Sequence, residues 1–464
     1  MLTMQKIVHV DPSIFRAYDI RGIVNKTLTR DTVYAMGQAI GSQVLETGEH
    51  SIAVGRDGRL SGPFLVAALC EGILATGCNV IDLGVVPTPL LYYSTYTLKT
   101  KSGVMLTGSH NPPDYNGLKI MIGGQTLAEE GIQQLYRRIC TQNFAEGDGK
   151  HTKVDIIERY LTEVVNDAKL ARPLKIVVDC GNGVAGHTAP ELFRRMGCDV
   201  QELYCEVDGN FPNHHPDPSQ VENLEDLIRV VRETGADIGL AFDGDGDRLG
   251  VVTNQGEIIW PDRQLMLFAK AVLADRPGAK IIYDVKCTYH LDKIIREAGG
   301  EPIMWKTGHS LIKSKLAETK AALAGEMSGH VFFNDRWYGF DDALYAGARL
   351  LQIIAAQQDD AHTLFNTIPN SVNTPELKIY VDEDEKFLLM QQLIANANFD
   401  LAEVVTIDGM RVNFSEGWGL VRPSNTTPCL VLRFEAQTAA ILESIKAVFR
   451  ESLLAVKPEL VLPF

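Results

Sequence analysis

Short runs of β-branched and aliphatic residues alternate, through most of the chain, with segments whose apolar positions return every three or four residues. The stretch SIAVGRDGRLSGPFLVAALCEGILATGCNVIDLG (51–84) opens with such a run, passes into a helical period and closes on a second run. KIVVDCGNGVAGHTAPELFRRMGCDVQELY (175–204) and KIIYDVKCTYHLDKIIREAGGEPIMW (280–305) repeat the same order of strand, helix and strand. In each copy the helical period stops at a small-residue pair, Gly77-Cys78, Gly197-Cys198 or Gly299-Gly300, where glycine lets the chain leave the helix. Strands alternating with helices predict parallel pairing, with helices on both faces of each sheet.

A further apolar run in each copy leads straight into a polar loop: GVMLTGSHNPP (103–113), IGLAFDGDGDR (238–248) and AALAGEMSGH (321–330). Ligands of α/β sheets sit beyond the carboxyl ends of the strands, so three such loops are expected to face one central cleft. After about Pro369 the pattern changes. PELKIYVDEDEKFLLMQQLI, VVTIDGMRVNF and GWGLVRPSNTTPCLVLRFEA read as mostly antiparallel strands, followed by an amphipathic helix from Thr438 to Leu454. The expectation is an α/β protein with three topologically similar domains, at 1–154, 155–256 and 257–369, whose sheets are mixed but mostly parallel. A smaller α+β domain at 370–464 follows, and NTIPNSVNTPE (366–376) suits a hinge that lets it move as a lid.

Composition narrows the partners. The 464 residues carry 44 Lys and Arg against 59 Asp and Glu, a formal charge of −15, which disfavours nucleic acid and anionic membranes. An anionic ligand then needs locally collected cations. No apolar run approaches the ~18 residues of a membrane span, and MLTMQKIVHVDPSIF lacks the pattern of a signal peptide, so a cytoplasmic location is expected. Eight cysteines without a C-x-x-C pair argue against zinc, redox chemistry and a disulfide framework; buried free thiols are expected.

The polar loops carry the chemistry. Gly108, Pro112 and Pro113 bend LTGSHNPPDYNGLK so that Ser109 lies on a tight loop, the kind of segment that carries function. In DGDGDR, glycines alternate with Asp243, Asp245 and Asp247 and let three hard oxygen ligands face one divalent cation. An EF-hand would place Gly and Glu where Arg248 and Asn254 stand. Three carboxylates this close repel one another unless cations hold them. A metal with few protein ligands leaves room for a phosphate oxygen that Arg248 can also bond, which points to phosphoryl transfer with Ser109 as the nucleophile. Stored phosphoserine is a dianion that Mg²⁺, Arg21, Lys119 and Arg248 can hold; His110 is the competing carrier. Glu326, Ser328 and His330 in GEMSGH suit sugar hydroxyls, Lys286 and His309 add a cation and an imidazole, and Arg422, Ser424, Asn425 and Thr426 can surround a second phosphate.

TGSHNPP, DGDGDR, GEMSGH and RPSNTTP, in this order along the whole chain, resemble the motifs of the α-D-phosphohexomutase family, in particular its bacterial phosphomannomutase/phosphoglucomutase branch. The resemblance implies a phosphoserine at Ser109, Mg²⁺ held by Asp243, Asp245, Asp247 and the phosphoserine, and Arg248 at the phosphoryl site. It places Tyr18, Arg21 and Lys119 near that site, Glu326 and Ser328 at the sugar hydroxyls, and Arg422, Ser424, Asn425 and Thr426 on the non-reacting phosphate. Lys119 and His330 become the candidates for moving the hydroxyl proton. The implied reaction interconverts hexose 1- and 6-phosphates through a hexose 1,6-bisphosphate, with glucose 1,6-bisphosphate as activator and glucose or mannose phosphates as small-molecule partners. A monomer is the expected assembly, a dimer the alternative. Rival readings are a phosphoglucosamine mutase, in which Gln usually stands in place of Met327, a Mg²⁺-dependent phosphatase, and a sugar-phosphate sensor.

Overall fold

A computed structural model of the chain describes residues 10–382, 385–397, 399, 402–424 and 427–464. Three of its four sheets share one topology. In the first, Asn79–Val85, Ser51–Arg56 and Gly103–Leu106 run parallel and Tyr115–Ile122 pairs antiparallel beside the last of them. Asp199–Leu203, Lys175–Asp179, Ile238–Phe242 and Leu249–Thr253 repeat this order in the second. Glu301–Trp305, Lys280–Asp284, Leu323–Gly325 and Val331–Phe333 repeat it in the third. Each polar loop is therefore the turn between the third and fourth strands of its unit, at the carboxyl end of the third.

The helix between the two strands of each sequence repeat ends at Leu74, Arg195 or Glu297, and the glycines that follow adopt positive φ: +89° at Gly77, +96° at Gly197 and +80° at Gly299. A side chain there would meet the Cβ penalty of the left-handed region, so glycine fits the helix exit. An added strand, Ile20–Ile23, joins the edge of the first sheet against Tyr115–Ile122 and sets Arg21 opposite Gly117. A Cβ on Gly117 would lie 2.1 Å from the Ile20 carbonyl oxygen, so this close approach needs glycine.

One continuous apolar core runs through the first three units. It takes in Ala53 and Met105 from the first sheet, Ile176 and Leu240 from the second and Ile281 and Leu323 from the third. Tyr93, Tyr160 and Trp337 weld the joint, Tyr93 stacking on Trp337 with ring centroids 5.9 Å apart. The fourth sheet is antiparallel throughout and has its own core around Leu432, Phe434 and Phe449. Its closing helix spans Ala439–Val456, capped by Thr438.

Seven of the eight cysteines are buried free thiols; Cys140 is exposed, against the expectation for all eight. Helix Glu130–Thr141 buries Ile132, Leu135 and Ile139, and one residue further on the helix turns about 100° away from that face. Among the described residues, no helix is long and apolar enough to cross a membrane.

Candidate active site

Ser109 is 1% exposed and adopts φ +49°, an uncommon conformation for a residue with a Cβ. Its N–H donates to Thr107 Oγ1 at 2.8 Å and its hydroxyl to Asp243 Oδ2 at 3.0 Å. The first two loops interlock: a Cβ on Gly244 would stand 2.3 Å from the Ser109 carbonyl oxygen. The second and third loops join through Leu249 N–H on the Gly329 carbonyl and a backbone bridge between Arg248 and His330.

Asp243, Asp245 and Asp247 are fully buried, with one oxygen of each within 4.8 Å of the others. Asp243 Oδ1 accepts the N–H groups of Asp247 and Arg248, which curls the loop around its first carboxylate. Thr88 donates both its N–H and its hydroxyl to Asp245, and Lys119 Nζ donates to Asp245 Oδ2 at 2.7 Å and to Asp247. Asp245 Oδ1 is buried with no hydrogen-bond partner. Hard, converging oxygens, of which Asp245 Oδ1 and Asp247 Oδ1 lack a hydrogen bond, fit a divalent cation such as Mg²⁺.

Electrostatics agree with a site short of positive charge. Burial, together with Asp245 and Asp247, pushes Asp243 well above the usual carboxylate range. Burial opposes the charge on Lys119, but Asp245 and Asp247 outweigh it and raise its ammonium above the usual value. Burial likewise opposes His330⁺, yet Asp247, 3.3 Å from its Nε2, and Glu326, 2.8 Å from its Nδ1, raise it to about 9. Arg248 Nε lies 3.3 Å from His330 Nε2 and 4.0 Å from Asp243 Oδ2. His110 faces Asp217 at 3.3 Å, outside the aspartate cluster, and burial with Arg248 lowers it to about 4.

Arg21 bonds Asp19 and the side-chain oxygen of Asn111, at the edge of the serine loop. Ser328 Oγ lies 3.1 Å from His330 Nδ1, and Glu326 also accepts the Gly308 N–H. His309 sits with Lys313 on Asp341, 5.7 Å ring to ring from His330. Tyr18 donates its hydroxyl to the Thr307 carbonyl at 2.7 Å. Asp408 Oδ2 accepts the Thr307 N–H at 2.9 Å and Arg422 Nε at 3.0 Å, tying the fourth unit to the third. Lys286 Nζ bonds Glu376 at 2.6 Å. Ser424 Oγ shares a hydrogen bond with Thr427, while Asn425 and Thr426 lie outside the described residues.

Residues that the sequence reading passed over surround this cluster. Asp57 and Arg59, buried at the end of the first strand, hold the backbone of the serine loop. His215 bonds the His110 carbonyl, and the Pro216 carbonyl accepts the Gly244 N–H, so PNHHPDP (212–218) braces both loops. Three charges in GRDGRLSG, at the end of one strand, and two histidines among three prolines, after another, were the available signals.

Family models match the chain in four consecutive pieces. These are phosphoglucomutase/phosphomannomutase alpha/beta/alpha domain I at 12–146, domain II at 158–256, domain III at 260–372 and the C-terminal domain at 376–452. A phosphomannomutase/phosphoglucomutase of Pseudomonas putida is 59% identical over 452 residues, 97% of this chain and 98% of the relative. A phosphoglucomutase of Neisseria gonorrhoeae is 54% identical over 97% of this chain and 98% of its own. The crystal structure of a phosphoglucomutase/phosphomannomutase family protein from Burkholderia thailandensis superposes with a TM-score of 0.94 at 54% identity, covering 98% of this chain and all of that one. With four domain models met in order and relatives matched along nearly their whole length, the chain belongs to the phosphoglucomutase/phosphomannomutase family of hexose-phosphate mutases.

Proposed function

We propose that Ser109 stores a phosphoryl group and exchanges it between O1 and O6 of glucose and mannose phosphates through the hexose 1,6-bisphosphate. The observation that carries this is Ser109 Oγ, buried and 3.0 Å from Asp243 Oδ2, inside a cluster of three carboxylates and the cations Lys119, Arg248 and His330. Asp243, Asp245 and Asp247 would hold Mg²⁺, which supplies charge neutralisation to the phosphoryl oxygens when bound. Lys119, Arg248 and Arg21 hold the remaining phosphate charge by charge-assisted hydrogen bonds.

In the forward half-reaction the Ser109 Oγ–P bond breaks and a bond from phosphorus to the free sugar hydroxyl forms. The hydroxyl proton passes to a side chain at its oxygen, Lys119 and His330 being the candidates in their neutral forms, and a proton is given back to the departing Ser109 Oγ, so that Ser109 ends as the alcohol. The bisphosphate then turns over, its other phosphoryl group returns to Ser109, and no phosphate is lost. Arg422 and its loop would grip the non-reacting phosphate in either orientation, while Glu326 and Ser328 read sugar hydroxyls common to glucose and mannose.

Incubation with Mg²⁺, glucose 1-phosphate and catalytic glucose 1,6-bisphosphate tests the reading. Glucose 6-phosphate should form without free phosphate, and mannose 1-phosphate should react while glucosamine 1-phosphate is a poor substrate. Phosphate release at the turnover rate would identify a phosphatase, and a preference for the amino sugar would identify the other mutase branch.

A further inference from the structure

Arg59 is 1% exposed, and all five of its guanidinium N–H donors are used. Nη2 donates to the carbonyls of Ser109 at 2.8 Å and Asn111 at 2.6 Å; Nη1 donates to those of Tyr115 at 3.0 Å and Pro112. Nε donates to Asp57 Oδ2 at 3.2 Å. The same carboxylate accepts the Thr107 hydroxyl at 2.8 Å and the Gly108 N–H at 3.2 Å, and the Thr107 oxygen in turn accepts the Ser109 N–H. The backbone on both sides of Ser109 is thus held from one ion pair.

That arrangement answers a specific need. A non-glycine residue at positive φ costs on the order of 1–3 kcal/mol and persists only where its surroundings over-determine it. Ser109 is such a residue at the chemical centre. Space around the clamp is closed: a Cβ on Gly108 would stand 2.4 Å from Arg59 Cζ, and the Phe211 ring of the second unit lies 5.2 Å from it. The strands flanking the loop are joined independently, by Leu106 opposite Leu118 and by Thr107 N–H on the Gly117 carbonyl. Removing the clamp therefore loosens the loop and spares the sheet.

We propose that Arg59 is a positioning residue which, through the loop carbonyls, sets the direction of the Ser109 side chain and the aim of the group it transfers. The proposal rests on Ser109 being the phosphoryl carrier. Lys cannot reproduce a five-donor fork, so Arg59→Lys keeps the charge and loses the geometry. Gly108→Ala displaces the guanidinium without altering any charge.

The full-length protein and both variants are loaded with glucose 1,6-bisphosphate and Mg²⁺, and the phosphorylated residue is identified by peptide mass. Transfer to glucose 1-phosphate is then followed in a single turnover alongside phosphate loss to water. The expected result is transfer slowed roughly ten- to a hundredfold in each variant, as for a reacting group misplaced by about 1 Å. KM should stay within about threefold, because the Arg422 loop is untouched. Hydrolysis of the phosphoserine should gain on transfer. A folded Arg59→Lys protein that transfers at the wild-type rate would overturn the proposal, and so would unfolding of both variants, which would make the role structural. Phosphate on another residue of the wild type would instead refute the Ser109 reading, and the inference with it.

Discussion

The two ends of the candidate cleft are built on different principles. At the serine end, three units share one apolar core, and loops from all three interlock through backbone contacts around buried charges. At the Arg422 end, the fourth unit keeps its own core and reaches the third mainly through polar groups around residues 284–289. Arg411 donates to the carbonyls of Val285 and Cys287 while stacking on Trp418, Arg433 bonds the Lys286 carbonyl, and Thr288 bonds Glu435. The apolar contribution is a small cluster of Val285, Trp418 and Leu420. An interface rich in hydrogen bonds and poor in apolar area permits relative motion of domains, whereas a shared core resists it. The difference matches the division of labour proposed for the site: a rigid end for phosphoryl transfer and an adjustable end that admits and releases substrate.

The largest expected effects come from breaking the rigid end. Ser109→Ala should lower mutase turnover by at least about a thousandfold, because it removes the proposed carrier of the phosphoryl group. Retained activity, or phosphate mapped to His110, would remove the first half of the comparison. Asp243→Asn should cost at least about a hundredfold in turnover, comparable to losing a preorganised electrostatic contact. Its stability should move the other way. Burial and two neighbouring carboxylates make the charge on Asp243 unfavourable, so the variant should melt no lower than wild type in chelator. The rise in midpoint on adding Mg²⁺ should disappear. A normal Mg²⁺-induced rise in the variant would take that carboxylate out of the metal site.

Much of this organisation was legible in the chain. Repeated periodicity exposes the three units, and the glycine and proline punctuation of TGSHNPP and DGDGDR marks bent loops of the kind that carry function. What the sequence reading missed depends on partners far apart in sequence. Arg59 reads as a surface charge until the fold lays the carbonyls of 109–115 across it. Asp408 reads as a turn acid in TIDGM, yet it joins Thr307 to Arg422. Asp341 carries no motif at all and still takes Lys313 at 2.7 Å beside His309. Lys286, read as a substrate cation, is already bonded to Glu376. Periodicity reports which face of an element is buried; it says nothing about which buried charge finds which partner.

An intermediate effect is expected at the adjustable end. Arg422→Ala removes a forked donor from the loop proposed to grip the non-reacting phosphate, a charge-assisted contact of about 1.5 to 3 kcal/mol. Substrate binding should weaken roughly ten- to a hundredfold. Released bisphosphate should accumulate, since an intermediate held at one end only escapes before it turns. Asp408 would lose its guanidinium while keeping the Thr307 N–H, so the fold should survive. Unchanged affinity and unchanged leakage of bisphosphate would show that the fourth unit is not the phosphate grip.

The smallest effect concerns the ion pair that spans the joint itself. Glu376, the last residue of the expected hinge, bonds Lys286 at 2.6 Å. Burial works against the Glu376 charge, but Lys286 and then Arg422 outweigh it and lower its pKa from 4.5 to about 2. A carboxyl whose folded value is depressed stabilises the native state above its unfolded value, and that contribution is lost as the pH falls from about 4.5 towards 2. The Glu376 side chain is 37% exposed, so solvent screening reduces the contribution to about 1 kcal/mol. Glu376→Gln should therefore lower stability by about that amount at pH 7, and the gap from wild type should narrow progressively between pH 4.5 and 2.5. Thermal or urea melts at pH 7, 4.5 and 3 measure it. Because the fourth unit has its own core, loosening the joint should broaden the transition before it lowers the midpoint of the first three units. A gap that stays constant with pH would mean that the pair contributes through packing and not charge, and the adjustable end would then owe its looseness to the small apolar cluster around Trp418.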